Sequence, residues 1–213
     1  MMGMIDGKNL DIEKIAKKAI LDKVFIVKLL KGIRSKDSTI RETSFNVVNY
    51  MSEHKPNSIY SEFNSFVQLL HSPNTYHQYI AINILANLAC ADPENKFKPV
   101  FEEYFGLFSI GKTIVPAQLA KNSGKIAKVR TDLRTQITEK LLKIDSIHHG
   151  KQKELIKSYI IESFDKYFKE AEQKEQIFKF VKSQLHSKSP KTKKAAKTFL
   201  KKWEKTTFIA SNI

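Results

Sequence analysis

The sequence predicts an all-α protein made of five stacked helix pairs behind a single N-terminal helix. Three observations lead there. Short polar breaks begin at Ser35, Ser72, Ser109, Ser146 and Ser187, so their first residues step by 37, 37, 37 and 41. A constant period of roughly 20–50 residues marks supersecondary units that stack to share a core. The segments on both sides of each break carry apolar residues at helical spacing, as in Ile40, Ser44, Val47, Val48 and Met51, and strand-like alternation is absent. Finally, 7 Gly and 6 Pro in 213 residues are too few for a loop-rich or sandwich-like chain.

The elements follow in order. An N-terminal helix covers residues 11–20. The leading helices of the five pairs cover 22–34, 61–71, 98–108, 132–144 and 175–186. The trailing helices cover 39–54, 76–91, 114–129, 152–168 and 191–204. Asp37 and Ser38 offer a cap to the first trailing helix, and Pro56 closes it. Asp92-Pro93-Glu94 reads as a cap, a proline at the first helical position and an acid in the first turn, so a helix is expected to begin there. The repeats are then 22–55, 59–91, 94–129, 132–170 and 174–205, within a single domain spanning 1–213, with 206–213 as a frayed or folded-back tail.

Composition bounds the class. Apolar content of 41% with 14 Phe is enough to build a core and too high for a disordered chain. Charges at Asp6, Lys8, Asp11 and Glu13 leave no apolar stretch that would read as a secretory signal. The longest apolar stretch, residues 80–91, is interrupted by Asn83 and Asn87 and falls short of the ~18–20 residues a membrane span needs. The one cysteine, Cys90, excludes an internal disulfide, and its apolar neighbours make it a small core or near-core thiol. A cytoplasmic protein is expected.

The net charge of +15 is unevenly placed. Up to Ile110 there are 13 Lys/Arg against 12 Asp/Glu, and from Gly111 onward 24 against 10. Such asymmetry points to a polyanion or an acidic protein as partner of the second half. It bears on association rather than fold.

The breaks also carry a motif. Leu29-Leu30-Lys-Gly-Ile33-Arg-Ser35-Lys-Asp37-Ser-Thr-Ile40-Arg41 resembles the HEAT-repeat family, whose Asp-x-x-(Val/Ile)-Arg signature lies at the turn between two helices. Leu69-Leu70-His-Ser72-Pro-Asn74-Thr-Tyr76-His77 keeps the pattern with Asn for Asp and His for Arg, and 185–193 keeps only the frame. The third and fourth pairs depart further. The resemblance spans nearly the whole chain and does not separate HEAT-like from armadillo-like solenoids. It implies a curved right-handed α-α superhelix with trailing helices on the concave side, used as a binding surface.

Helical wheels of the trailing helices show what faces away from each apolar arc. The outward arcs hold Phe45, Asn46 and Asn49 in the first pair, Tyr79, Ile82, Asn83, Ala86 and Cys90 in the second, and Lys121, Lys125 and Lys128 in the third. The fourth is acidic, with Glu154, Glu162 and Asp165, and the fifth presents Lys191, Lys194, Lys197 and Lys201. The expected partner-binding residues are therefore Phe45, Asn46, Asn49, Tyr79, Ile82, Asn83, Lys121, Lys125 and Lys128. Phe45 and Ile82 have a second reading as core contacts, because the buried arc of a stacked helix is wide. From Lys179 to Lys205 there are 10 Lys and one acid, Glu204. Lys191, Lys194, Lys197, Lys201 and Lys202 thus form a candidate polyanion surface, or simply the polar cover of a terminal repeat. Trp203, the only Trp, reads as the core plug of that terminal repeat.

Chemistry has few candidates. No dinucleotide, phosphate-loop or nucleophile-elbow pattern appears. Asp145, His148 and His149 come nearest to a metal set and read as a turn insertion. HEAT-like DNA glycosylases exist, but the middle trailing helices carry no Trp and no Asp–aromatic constellation is evident facing Arg130 and Arg134, and that activity is not carried over. No catalytic, cofactor or metal residue is expected. The reading is a non-enzymatic protein-interaction scaffold, with nucleic-acid binding through the basic half as the alternative.

Overall fold

The computed structural model describes residues 11–210, with side chains to 204. Among the described residues all regular structure is helical. The helices are α1 (Ile12–Ile20), α2 (Lys23–Gly32), α3 (Ser38–His54), α4 (Phe63–Leu70), α5 (Thr75–Ala89), α6 (Phe101–Gly106), α7 (Ile114–Val129), α8 (Arg134–Leu142), α9 (Ile144–Ile147), α10 (Lys153–Tyr167), α11 (Lys174–Ser183) and α12 (Pro190–Ala210). In chain order, α2/α3, α4/α5, α6/α7, α8/α10 and α11/α12 correspond to the five expected pairs, and α1 to the expected N-terminal helix. Contacts cluster into two compact units, Met1–Val100 and Phe101–Ile213.

Caps set where the helices begin. Asp37 Oδ1 accepts from the amides of Thr39 at 2.8 Å and Ile40 at 3.1 Å, and Asn74 Oδ1 accepts from Tyr76 at 2.9 Å. Asp11 and Asp22 cap α1 and α2 in the same way. A cap contributes about 1 kcal/mol, whereas each large apolar side chain taken out of water contributes about 1.5–3 kcal/mol. Packing therefore holds the stack and the caps fix its register. In the first unit the buried side chains include Leu29, Ile33, Val47, Met51, Phe63, Phe66, Ile80 and Leu85. In the second they include Tyr104, Phe105, Phe108, Leu119, Ile126, Ile160, Phe164 and Phe199.

The signature residues act as staples at the first break. Arg41 Nη1 donates to the Ser35 carbonyl at 2.9 Å, and its guanidinium lies 4.9 Å from the centre of the Tyr76 ring. In the second pair His77 shares a hydrogen bond with Ser72 Oγ at 2.9 Å. The residue one period after Arg41, however, is Gln78, whose Nε2 donates to the Leu70 carbonyl at 3.3 Å. His77 and Gln78 thus divide the tie across the break that Arg41 makes alone.

Three expectations need correction. No helix begins at Pro93. Asp92 instead organises a loop, accepting from the amides of Lys96 and Phe97 at 2.9 Å each and from the Tyr60 hydroxyl. Asn95 in this loop has φ of 53°, a left-handed conformation that stops a helix, and helical structure begins only at Lys98, as a 3-10 turn that runs into α6. The expected tail does not start at residue 206, because α12 continues to Ala210. Residues 205–210 contain no Gly or Pro to end it. Residues 211–213 lie outside the described part. Lastly, the insertion at residues 144–150 is more than a turn. His148 is fully buried and its Nδ1 bonds the Phe108 carbonyl at 2.9 Å, anchoring the extra residues to the core.

Candidate functional site

In the first unit the expected surface residues divide between core and surface. Ile82 is fully buried and Phe45 is 9% exposed, so neither presents its side chain to a partner. The physical reason is the crowding of α5, which packs against both α3 and α4 and buries Ile80 through Ala89 apart from Asn83. Ala86 is buried with them. Phe45 packs edge-on against Tyr76 and Tyr79, with ring centres 6.5 and 5.7 Å apart. Asn83 Nδ2 donates to the Tyr79 carbonyl one turn earlier at 2.7 Å. Asn49 accepts from Nδ2 of Asn87 at 3.3 Å, and that same amide also donates to Ser52 Oγ at 2.8 Å. These amides tie α3 to α5. Asn46 is exposed, and Asn49, Tyr79 and Asn83 are half-buried.

The second unit places its charged helices side by side. The α7–α10 contact is unusually close, because a Cβ on Gly124 would stand 2.7 Å from both the Cα and the carbonyl oxygen of Ser163. Ser163 Oγ donates to the Ala120 carbonyl within the same contact. The lysines of α7 are thereby brought beside α10. Lys121 and Lys128 are exposed and Lys125 is half-buried. Lys121 Nζ lies 4.4 Å from the centre of the Tyr159 ring, and Lys191 of α12 approaches the same ring at 3.6 Å.

The acidic arc of α10 does not stand alone, as its sequence suggests. Glu162 pairs with Lys191 at 3.6 Å. Asp165 accepts from Lys202 at 2.9 Å and from the Trp203 indole at 2.6 Å. Glu154 pairs with Lys157 at 2.7 Å and accepts from Ser187 at 2.5 Å. Burial pushes the Glu154 carboxyl up, but the hydrogen bonds from Lys157 and Ser187 outweigh it and hold the group below the usual carboxylate range. Lys157 is itself buried between Glu154 and Asp145, the latter at 2.9 Å, and those bonds raise it against the pull of desolvation. Nothing in the pattern singled out Lys157, since a lysine at an apolar position is visible only once its partners are placed.

The candidate polyanion residues therefore have different roles. Lys191 and Lys202 are engaged with α10. Lys194, Lys197 and Lys201 are exposed and make no ion pair among the described residues. Below them, Phe168, Phe178 and Phe199 interlock with Trp203, ring centres 5.0–6.4 Å apart, and Trp203 is half-buried rather than a core plug. Arg130 forms a two-pronged pair with Asp132, and Arg134 donates to the carbonyls of Ala127 and Glu170, so both serve structure. Among the described residues no three His, Cys, Asp or Glu are placed to hold a metal ion. No described helix is long and apolar enough to cross a membrane.

Solved structures share this fold. Two engineered proteins superpose with TM-scores of 0.50 and 0.54 at 17% and 14% identity. The matches cover 93% of this chain in both cases, and 93% and 95% of theirs. A designed armadillo repeat protein superposes with a TM-score of 0.50 at 12% identity, over 93% of this chain and 96% of its own. The fold is a HEAT/armadillo-like α-solenoid. No protein-family model matches the sequence, and no curated protein matches it.

Proposed function

We propose that this solenoid is a non-enzymatic interaction scaffold whose Phe101–Ile213 unit binds an acidic protein partner. The observation that carries the reading is the lysine surplus on α12. The α10 acids are consumed in pairs with Lys191 and Lys202, and Lys194, Lys197 and Lys201 remain exposed on one helix face at i, i+3 and i+7. A terminal repeat needs a polar cover, but glutamate would cover it as well, so the sign of the charge calls for a partner. The repeat fold supports the choice of a macromolecular partner, because stacked repeats expose long surfaces and few enclosed cavities. Asn46, Asn49, Tyr79 and Asn83 of the first unit supply a second, uncharged surface of the same scaffold.

A protein rather than a nucleic acid is favoured because the pairs of Glu162 with Lys191 and of Asp165 with Lys202 neutralise the flanks, leaving a short patch of three lysines rather than a continuous positive track for a phosphate backbone. The test is affinity capture with the wild-type chain and with a Lys194→Glu, Lys197→Glu, Lys201→Glu variant, each with and without nuclease. Acidic proteins held by the wild type after nuclease treatment and lost by the variant support the reading. Capture that nuclease abolishes transfers the function to nucleic acid, and capture identical for both chains removes the lysine surface from it.

A further inference from the structure

The surface between α10 and α12 is indented. The two helices pack against each other, and Lys191, Lys194, Ala195 and Thr198 share the α12 face beside α10, at i, i+3, i+4 and i+7. Ala195 and Thr198 carry short side chains, so neither fills the space opposite Ile161 of α10. An open cavity of about 350 Å³ results. Ile161, Ala195 and Phe199 give it an apolar lining, and Ile161 and Phe199 belong to the core of this unit. Its edge is charged. Glu162 and Asp165 stand on the α10 side, and each already has a lysine, Lys191 at 3.6 Å and Lys202 at 2.9 Å. Lys194 stands on the α12 side without an ion pair among the described residues, and the exposed Lys197 and Lys201 continue from it along the helix.

We infer that this cavity receives one large apolar side chain of the acidic protein segment that the α12 lysines bind. The inference rests on the reading of the Phe101–Ile213 unit as a surface for acidic protein, and it adds the residue that fixes the segment's position. Charge decides what surrounds that anchor. Both acids at the edge are neutralised by their own lysines, so the uncompensated charge at the mouth is that of Lys194, and it is met by Asp or Glu beside the anchor. Volume decides the anchor itself. The cavity lies at the lower end of the roughly 300–1,000 Å³ that ligand pockets occupy, with room for one side chain of phenylalanine size. An apolar group seated in a pocket and ringed by charged contacts is how a few residues come to carry most of the energy of an interface.

The test uses the full chain, calorimetric titration at near-physiological salt, and four probes. These are a short Glu-rich peptide with one central Phe, the same peptide with Ser in its place, the Phe peptide with Gln for every Glu, and an oligothymidylate. The Phe peptide should bind at least about tenfold more tightly than the Ser peptide, and the Gln peptide should bind more weakly than the Phe peptide. The Phe peptide alone should shift the emission of Trp203, the only Trp, whose indole donates to Asp165 at the cavity edge at 2.6 Å. Thr198→Leu fills the cavity from an exposed position and should erase the preference while leaving the affinity of the Ser peptide unchanged. Ala195→Leu, at a half-buried position, is the second filling variant, and an unchanged unfolding midpoint certifies each. Equal affinity for the Phe and Ser peptides, or a preference that survives both filling variants, overturns the cavity as the anchor site while leaving acidic-protein binding in place. A Gln peptide that binds as tightly as the Phe peptide overturns the acidic character of the segment. Self-association of the chain that Thr198→Leu abolishes overturns the assignment in favour of a second copy. Oligothymidylate that shifts Trp203 as the Phe peptide does overturns the assignment to protein, and binding of neither Glu-rich peptide overturns both the anchor site and the reading beneath it.

Discussion

Gly124 on α7 and Ser163 on α10 touch backbone to backbone. A Cβ at position 124 would lie 2.7 Å from the Ser163 Cα and carbonyl oxygen, and a real Cβ does not come that close to backbone. This contact sets the spacing of the two helices and lets Lys166 Nζ reach the Lys121 carbonyl at 3.3 Å.

Gly124→Ala should therefore destabilise the protein, although alanine is the better helix former. Overpacking costs about 1–3 kcal/mol, against a propensity gain of up to ~1 kcal/mol. Gly106 is the control. It is exposed, has φ of −58° and nothing within 4 Å of a built Cβ, so Gly106→Ala should stabilise by about 0.4–1 kcal/mol. Urea unfolding of both variants checks the pair, and the same sign for both would contradict the contact.

Asp92 should act as the keystone of the loop between the second and third repeats. Asp92→Ala removes the acceptor of two amides and of the Tyr60 hydroxyl, and should cost about 1–3 kcal/mol. The tyrosine gives a second readout. Burial first, then the bond to Asp92 and its charge, push the Tyr60 phenol up to about 12. In Asp92→Asn the charge is lost and burial remains, so phenolate absorbance, read against Tyr60→Phe, should show a lower value still above the ordinary tyrosine range. An unchanged titration would remove Asp92 from the account.

The Glu154–Lys157 pair gives stability a predictable pH dependence. Glu154 is lowered in the folded state, so its contribution is present above about pH 4.3, the unfolded value, and is lost as pH falls through the folded one. Lys157 is raised, so its contribution is complete below about pH 10.4 and is lost as pH rises through its folded value. Glu154→Gln should lower stability at neutral pH and flatten both limbs. Unfolding midpoints measured across the pH range check this, and a variant that keeps the wild-type acid limb would contradict it.

The architecture was legible in the sequence because the period and the caps are local signals. The third trailing helix, 114–129, coincides with α7, and Asp37 caps α3 as read. The misplaced helix start at Asp92 shows where local signals end. Asp-Pro-Glu suits a helix N-terminus, but Tyr60, 32 residues earlier, bonds the same carboxylate, and the loop wins. The candidate site was legible only in part, for a related reason. A helical wheel assigns one outward arc per helix, whereas α5 is covered by two neighbours, which buries Ile82. Likewise the pairing of Glu162 and Asp165 with Lys191 and Lys202 joins residues about a repeat apart, and no wheel of a single helix contains it. Lys166 was absent from the wheel-based set because its hydrogen bond to the Lys121 carbonyl, at 3.3 Å, lies across the Gly124 crossing.

We propose that the exposed lysines of α12 select an acidic protein over a nucleic acid. The most direct test is fluorescence anisotropy of labelled polyglutamate and of labelled single- and double-stranded DNA and RNA, at low and at near-physiological salt. The wild type should hold polyglutamate at both salts, and Lys194→Glu, Lys197→Glu, Lys201→Glu should weaken it at least about tenfold, in line with three lost charge contacts. Nucleic acids should bind at low salt only. Nucleic-acid binding that persists at near-physiological salt and falls in the triple variant would contradict the account.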